Sequence, residues 1–386
     1  MEIRKEMLSV LRPLGGEEEV EAIRESIESG WWTRGPKVEQ FEKEFAQLVG
    51  SKYAVAVTSN SHGQDLVMKA LGIKDVDVIN PTISFMATAI IPIWNNCTSN
   101  IVDVRRHDLN LDPEDVKKSL KKNTEVIIAV NMAGIPAPID EIREFYDGYI
   151  IEDCAHSCYI PGAGTKGDIA IWSFQAVKTM PIGDGGMITT DDYELYKKLQ
   201  SLAWFGIEST YSRISGKTHF NENKESTLKS SVKNPDGKPG YTWDYDVNEL
   251  GYKYYMIDIL AAIGLVQMKK LDKHLEIRRH IQKRYNEELA DVIQPPEWSE
   301  TVQYYCSRVP EEHRDPLIDY LKTKMIHTSV HFKPLHKYDI VKQDREYPIA
   351  DTEWKKLLSL PVHPAMNDED IDYVVYWVKK YFEEFG

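Results

Sequence analysis

Cysteine is scarce in this sequence, and long apolar runs are absent. The 386 residues include four cysteines, whose positions match no disulfide framework. No window approaches the roughly 18 to 20 consecutive apolar residues that a membrane span needs, and the first residues contain no apolar core of a signal peptide. We therefore expect a protein of the reducing cytoplasm that neither spans a membrane nor carries a secretory signal.

Positive charge is also in short supply. Lysine and arginine number 47 against 61 aspartates and glutamates, which gives a net charge of −14. Proteins that bind nucleic acid carry clustered basic residues, so we do not expect a protein of this class. A local basic pocket for one anionic ligand is still compatible with the net charge. With 42% hydrophobic and 28% charged residues, the composition is typical of a globular protein with a substantial core.

Strand-like and helix-like segments alternate along residues 52–153. Short apolar runs such as "KYAVAV" and "EVIIAV" are followed by segments with helical spacing, and "YIIED" ends this series. Two further runs, "DIAIWSF" and "GMITT", bring the number of strands to seven. This alternation predicts an α/β fold with a mostly parallel seven-stranded sheet that is flanked by helices.

Two domains are expected. A large domain over residues 1–250 begins with two helices and contains the sheet, and residues 251–386 form a long connecting helix and a smaller C-terminal α+β domain. The polar stretch 208–246 is longer than an ordinary connection in a compact domain. It is either a functional loop, such as a lid, or a disordered one.

Polar residues follow several of these strands, where open α/β sheets bind ligands. The turn of Ser61, His62 and Gly63 precedes a helix, whose free N–H groups can bind a phosphate. An ordinary helix cap is the alternative. Asp153 ends the fifth strand, and His156 lies three residues further on.

A buried carboxylate at a strand end needs a partner. For Asp153 this partner is a metal ion, an arginine or the protonated ring nitrogen of a cofactor. A zinc site in "CAHSC" would lack a second pair of ligands, so no metal is expected.

Lys178 stands between the sixth strand and the turn "GDGG". Its amine is suited to forming a Schiff base with a carbonyl, and a solvated surface lysine is the alternative. Pyridoxal phosphate (PLP) chemistry requires a lysine, an acid for the pyridine nitrogen and donors for the phosphate. Lys178, Asp153 and the 61–63 turn together match that set.

The chain resembles the DegT/DnrJ/EryC1/StrS family of PLP-dependent sugar aminotransferases, which have fold-type I of the aspartate aminotransferase superfamily. The resemblance runs over nearly the whole length in the family's order. The blocks that carry it include "SGWWTRGPKVEQFEKEFA", "YAVAVTSNSHGQDL", "IIEDCAHS", "GDIAIWSFQAVKTMPIGDGGMITT" and "LGYKYYMIDILAAIGLVQMKKLD". It implies pyridoxal 5′-phosphate as the cofactor and a homodimer with shared active sites.

The resemblance also implies a role for each candidate residue. Lys178 binds the cofactor covalently and moves a proton, and Asp153 pairs with the ring nitrogen. His156 hydrogen-bonds to the cofactor O3′, and Phe85 stacks on the ring, with core packing as its alternative. The other implied residues are Ser61, His62, Gly63 and Ser173 around the phosphate, Lys253 in the phosphate site of the neighbouring subunit, and Trp32, Thr33 and His331 at the substrate.

The phosphate turn and the segment of the shared site are among the departures from the family pattern. The Gly-Thr or Ala-Thr pair of the phosphate turn becomes His62 and Gly63, so that backbone N–H groups have to bind more of the phosphate. Many relatives carry asparagine at position 253 or 255, where this sequence has Lys253 and Tyr255.

The expected function is transfer of an amino group from L-glutamate to C3 or C4 of a nucleotide-linked keto-deoxysugar, for a surface polysaccharide or another glycoconjugate. One branch of the family replaces the lysine with histidine and dehydrates keto-sugars, and Lys178 argues against that branch. A lyase or dehydratase of the same fold and a non-catalytic sensor or scaffold are the alternatives.

Overall fold

The centre of the molecule is one seven-stranded sheet. The computed structural model describes residues 1–158, 160, 162–207, 247 and 249–386. The strand order is β1-β7-β6-β5-β4-β2-β3, and only β7 runs antiparallel to its neighbours within this sheet. The predicted mostly parallel sheet is confirmed. Its strands are β1 Tyr53–Val57, β2 Asp77–Pro81, β3 Thr98–Val102, β4 Thr124–Val130, β5 Tyr149–Asp153, β6 Ile169–Ser173 and β7 Gly186–Thr190.

Helices cover both faces of this sheet, because its strands are apolar on both sides. On β1, Val55 and Val57 pack with residues of α3 and α7, whereas Ala54 and Ala56 pack with residues of α2 and α8. The helices are α1 Glu17–Glu28, α2 Pro36–Val49, α3 Asn60–Leu71, α4 Ala87–Trp94, α5 Pro113–Ser119, α6 Ile139–Arg143, α7 Tyr193–Leu202, α8 Asp258–Glu288, α9 Glu311–Thr323, α10 Pro348–Glu353 and α11 Asp368–Phe385. None of these helices is long and apolar enough to cross a membrane.

A second, smaller core is built by the C-terminal part of the chain. Strands β8 (Tyr305–Arg308) and β9 (Leu357–Leu360) pair antiparallel, and the end of α8 packs beside them with α9 and α11. Leu8 belongs to this core too, because its N–H donates to Met325 O at 2.8 Å. The division of the chain at residue 250 stays a prediction, and the predicted loop 208–246 lies outside the described residues.

The first residue of α8 caps α2. Asp258 accepts hydrogen bonds from the backbone N–H groups of Gly35, Lys37 and Val38 at 2.7 to 3.1 Å. A carboxylate at a helix N-terminus neutralises free N–H groups and the positive end of the helix dipole. A Cβ atom on Gly35 would lie 2.6 Å from Asp258 Oδ2, which explains the glycine. Asp258 also donates its own N–H to Thr33 O at 2.8 Å, so this cap fixes the segment that precedes α2.

Candidate active site

Asp153 ends β5 as a buried carboxylate that several donors hold in place. Its Oδ1 accepts from Asn60 Nδ2 and from the N–H of Ala155, both at 3.0 Å, and its Oδ2 accepts from Gln64 Nε2 at 2.9 Å. Burial raises the pKa of Asp153, while these hydrogen bonds and the charge of Lys178 act in the opposite direction. The carboxylate is therefore oriented before any ligand arrives.

Sequence reasoning placed Asn60 in the phosphate turn but missed that Asn60 and Gln64 bind Asp153. They lie four residues apart on α3, and Gln64 Nε2 also donates to Asn60 Oδ1 at 2.9 Å. Residues at this spacing share one face of a helix. Two polar residues on one face of a helix that is otherwise largely buried were the available signal.

Lys178 lies on the turn that follows β6, next to the strand that ends in Asp153. Its N–H donates to Gln175 O at 2.8 Å, and Gln175 forms a bridge with Gly183 that closes the turn. Burial lowers the pKa of the Lys178 amine to about 8, and the nearby Asp153 charge partly opposes this shift. A fraction of the amine is consequently uncharged near neutral pH, which is the form that attacks a carbonyl.

Aromatic and imidazole rings form one wall of the site. Lys178 Nζ lies 5.9 Å from the centroid of the Tyr304 ring, which stacks on His331 at 3.8 Å and meets the edge of His156 at 4.9 Å. His156 also stacks on Phe332 at 6.0 Å. The structure thus brings the predicted residues Lys178, His156 and His331 together, around Tyr304 and Phe332, which the sequence analysis did not identify.

Both histidines of this wall are held neutral. Burial and the charge of Lys178 lower the pKa of His331 to about 3, and the same causes lower the pKa of His156 well below its usual value. His331 Nδ1 hydrogen-bonds with Ser359 Oγ at 2.8 Å. His156 Nδ1 is buried without a hydrogen-bond partner in the described part of the chain, so this atom is available to a bound ligand.

Phe85 projects from the large domain beside this wall. Its side chain is 62% exposed, and its ring centroid lies 6.4 Å from that of Phe332. Such exposure excludes the core-packing alternative and suits a ring that stacks on a ligand.

Trp32 is also exposed and donates from Nε1 to Ile27 O at 3.1 Å, while Thr33 Oγ1 hydrogen-bonds with Tyr255 Oη at 2.9 Å.

The predicted phosphate turn forms the first turn of α3. Ser59 caps this helix, because its Oγ accepts from the N–H of His62 at 3.1 Å and its carbonyl accepts from Gly63 at 3.0 Å. These bonds leave Asn60 and Ser61 as the first-turn N–H donors for an anion. A Cβ atom on Gly63 would lie 2.9 Å from Ile171 Cγ2, so this glycine permits close packing of α3 on the sheet.

The other predicted phosphate residues surround that turn. The His62 ring hydrogen-bonds through Nδ1 with Thr58 Oγ1 at 2.7 Å and stacks on Tyr254 at 4.2 Å. Ser173 ends β6 opposite Gly186, where a Cβ atom would lie 2.6 Å from Asn60 N. The end of β6 is therefore close to the N-terminus of α3.

Lys253 is exposed on the strip that runs beside the end of β1. Its backbone bridges to Trp204, and its Nζ lies 5.9 Å from the Trp204 ring. The roles assigned to Lys253 and to the other individual residues stay predictions.

The residues present fit pyridoxal 5′-phosphate. The buried carboxylate of Asp153 suits the ring nitrogen, the Lys178 amine suits the aldehyde, and the unpaired His156 Nδ1 suits a ring oxygen. The N-terminus of α3 suits the phosphate. Among the described residues, no group of three or more histidine, cysteine or acidic side chains could hold a metal ion.

Comparison with known proteins identifies the family of the chain. The family model described as "DegT/DnrJ/EryC1/StrS aminotransferase family" matches residues 13–379. Uncharacterized protein MJ1066 of Methanocaldococcus jannaschii is 34% identical, and 99% of each chain is covered. The spore coat polysaccharide biosynthesis protein SpsC of Bacillus subtilis is 33% identical, with 97% of each chain covered.

Solved structures share the fold over the whole chain. Aminotransferase TlmJ from Streptoalloteichus hindustanus has a TM-score of 0.86 at 27% identity, with 98% of this chain and 100% of TlmJ covered. The PLP form of Spr1654 from Streptococcus pneumoniae has a TM-score of 0.85 at 25% identity, with 98% and 99% covered. DesI, in a crystal with its TDP-sugar product, has a TM-score of 0.83 at 25% identity, with 98% and 94% covered. The chain therefore belongs to the DegT/DnrJ/EryC1/StrS aminotransferase family, as a sugar aminotransferase whose cofactor is pyridoxal 5′-phosphate.

Proposed function

We propose that this enzyme transfers the amino group of L-glutamate to C3 or C4 of a nucleotide-linked keto-deoxysugar. The observation that carries the proposal is that Lys178 follows β6 beside the end of β5, where it lies within the electrostatic influence of the buried Asp153 carboxylate. The TDP-sugar product of the relative DesI supports a nucleotide-linked substrate. The strongly lowered pKa of Lys178 supports proton transfer at neutral pH.

The residues of the site divide the work of an amino transfer. When bound, PLP supplies a ring that takes up electrons as the substrate loses a proton. Asp153 holds a proton at the ring nitrogen, and Asn60 and Gln64 keep its two carboxylate oxygens oriented. Lys178 Nζ takes a proton from the substrate carbon and returns it, which its lowered pKa permits near neutral pH.

An assay with defined substrates tests the proposal. Purified enzyme is incubated with L-glutamate and a panel of nucleotide-linked 3-keto and 4-keto deoxysugars, and 2-oxoglutarate and the amino-sugar are measured together. We expect one 2-oxoglutarate for each amino-sugar formed, and no turnover of the same keto-sugar without its nucleotide. Loss of the sugar without 2-oxoglutarate would instead support the dehydratase or lyase.

The destination of the product and the location of the enzyme belong to the same proposal. We propose an amino-sugar for a surface polysaccharide, such as lipopolysaccharide, or for another glycoconjugate; the name of SpsC, a spore coat polysaccharide biosynthesis protein, supports a polysaccharide. Cys97, Cys154, Cys158 and Cys306 are all buried and unpaired, which supports a reducing cytoplasm. Fractionation of the native cells, with detection of the enzyme in each fraction, tests the location.

The proposal includes a homodimer in which each subunit completes the site of the other. Trp94 is 59% exposed and Leu250 is 83% exposed. Residues 94–95 and 253–254 lie in one region, because Asp65 accepts hydrogen bonds from Asn95 and from Tyr254. A contiguous exposed apolar surface is typical of a partner-binding site, and we propose that Trp94 and Leu250 contribute to one.

Mixed dimers test the shared site. Lys178→Ala and Lys253→Ala are each expected to reduce activity strongly when expressed alone. Random mixing of the two variants should restore about a quarter of wild-type activity, since half of the dimers then contain one intact site out of two. A monomer in analytical ultracentrifugation, or no recovery on mixing, would contradict this arrangement.

A further inference from the structure

Residues 299–303, which immediately precede β8, present three polar side chains to the large domain. Ser299 Oγ donates to Gly134 O at 3.1 Å, Thr301 Oγ1 donates to His156 O at 3.0 Å, and Gln303 Nε2 donates to Val177 O at 2.8 Å. All three side chains are buried. We call these residues the anchoring segment.

The three acceptors lie on successive loops of the sheet. Gly134 follows β4, His156 follows β5 and Val177 follows β6, and these strands are neighbours in the sheet. Two of these loops carry the site, because one contains His156 itself and the other leads directly into Lys178. The anchoring segment therefore contacts the backbone of the two loops that carry His156 and Lys178.

The approach at the first loop leaves no room for a side chain. A Cβ atom on Gly134 would overlap Thr301 Oγ1 and would lie 2.7 Å from Ser299 Oγ and 2.9 Å from His156 O. Gly134 also has a φ of 89°, which favours glycine. The close contact therefore requires glycine at position 134 as well as the side chains of Ser299 and Thr301.

Val302 in the anchoring segment has a costly backbone conformation. Its φ is 45°, in the left-handed region, which is a strained position for a β-branched residue. Its N–H donates to Ser299 Oγ at 3.0 Å, and its carbonyl accepts from the buried Arg278 Nη1 at 3.0 Å. Strain of this kind persists only where surrounding contacts hold the chain in one arrangement.

A contribution to stability does not explain why position 303 of the anchoring segment is a glutamine. It is fully buried, and its Oε1 has no hydrogen-bond partner within the described residues. An unsatisfied buried acceptor is unfavourable, and a methionine of similar volume would fill the space without one. What the glutamine adds is its bond to the carbonyl of Val177, together with a side-chain interaction with the neighbouring Tyr304 hydroxyl, and both contacts lie at the site.

We propose that Gln303 is a positioning residue, which holds the loop of Lys178 so that the amine meets the cofactor in the reactive orientation. A residue of the C-terminal part thereby controls the geometry of a lysine in the sheet domain. Misplacement of a reacting group by about 1 Å can cost about a hundredfold in rate. Loss of this one hydrogen bond should therefore affect turnover more than binding.

The test compares Gln303→Met with a matched control, Gln267→Met. Gln267 is also buried, donates from Nε2 to a backbone carbonyl (Leu14 O, 2.8 Å) and has an unpartnered Oε1, but it lies on α8 against Glu19 of α1. Both holoenzymes are measured for kcat, for KM, for thermal stability and for the pH titration of cofactor absorbance, which reports the Lys178 linkage.

For Gln303→Met we expect retained cofactor, a kcat lowered by about 30-fold, a KM within about threefold of wild type, and a spectral pKa shifted by at least about half a unit. Gln267→Met should keep the wild-type kcat and titration. If Gln303→Met has the spectral pKa of the wild type, Lys178 is in its normal place. That result overturns the proposal, whether or not kcat falls. It is also overturned if Gln267→Met shows the same changes. Gln303→Asn, which keeps an amide that is too short to reach Val177, replaces Gln303→Met if that variant does not fold.

Discussion

The Lys178→Ala enzyme is expected to show no measurable turnover, with kcat lowered by at least about 10⁴-fold. Alanine removes both the amine that binds the cofactor and the base that moves the proton. The described rings around the amine are those of Tyr304, His331 and His156, and both histidines are held neutral, so neither supplies a replacement cation. Formation of 2-oxoglutarate from L-glutamate measures the loss.

The matched control is Lys197→Ala, which removes an exposed lysine of α7 that pairs with Glu194. This variant should keep wild-type turnover. The Lys178→Ala protein should fold normally but hold its cofactor only loosely, so that dialysis removes the yellow colour. Residual activity near that of the wild type would refute the assignment of Lys178.

The Asp153→Ala enzyme is expected to lose about 10³-fold in kcat, because the ring nitrogen then has no carboxylate to keep it protonated. The variant also removes one acceptor each from Asn60 and Gln64, whose amide groups keep their bonds to Ile171 O and to Asn60 Oδ1. Stopped-flow measurement of the half-reaction with L-glutamate separates this loss from slower product release.

Reconstitution with N1-methylated PLP separates the charge effect from a packing effect. The methyl group keeps the ring nitrogen positive without any acid. It should therefore raise the kcat of Asp153→Ala by at least about tenfold. In the wild type the methyl group would clash with the Asp153 carboxylate and lower activity. Failure of the methylated cofactor to help the variant would contradict the role assigned to Asp153.

Much of the fold is predictable from the sequence because its signals are local. The strands of the sheet are short apolar runs, and their alternation with helices predicts a mostly parallel sheet. The direction of β7 was not predictable, since "GMITT" carries no mark of orientation. Residues 174–185, which join β6 to β7, form turns and contain no helix that could serve as the crossover of a parallel pair.

The candidate site was predictable where its residues follow strands. Asp153 and Lys178 follow β5 and β6, and parallel strands present their ends at one edge of a sheet. Tyr304, Phe332 and Gln303 were missed because they come from the C-terminal part and meet the site only through tertiary packing. In the sequence, "QYYC" resembles an ordinary buried strand.

The central claim is that the amine of Lys178 carries the cofactor. Reduction of the holoenzyme with borohydride, followed by proteolysis and mass spectrometry, locates the lysine to which the cofactor is joined. We predict one labelled peptide, with the phosphopyridoxyl group on Lys178 and on no other lysine. A label on a different residue, or no label at all, would contradict the account.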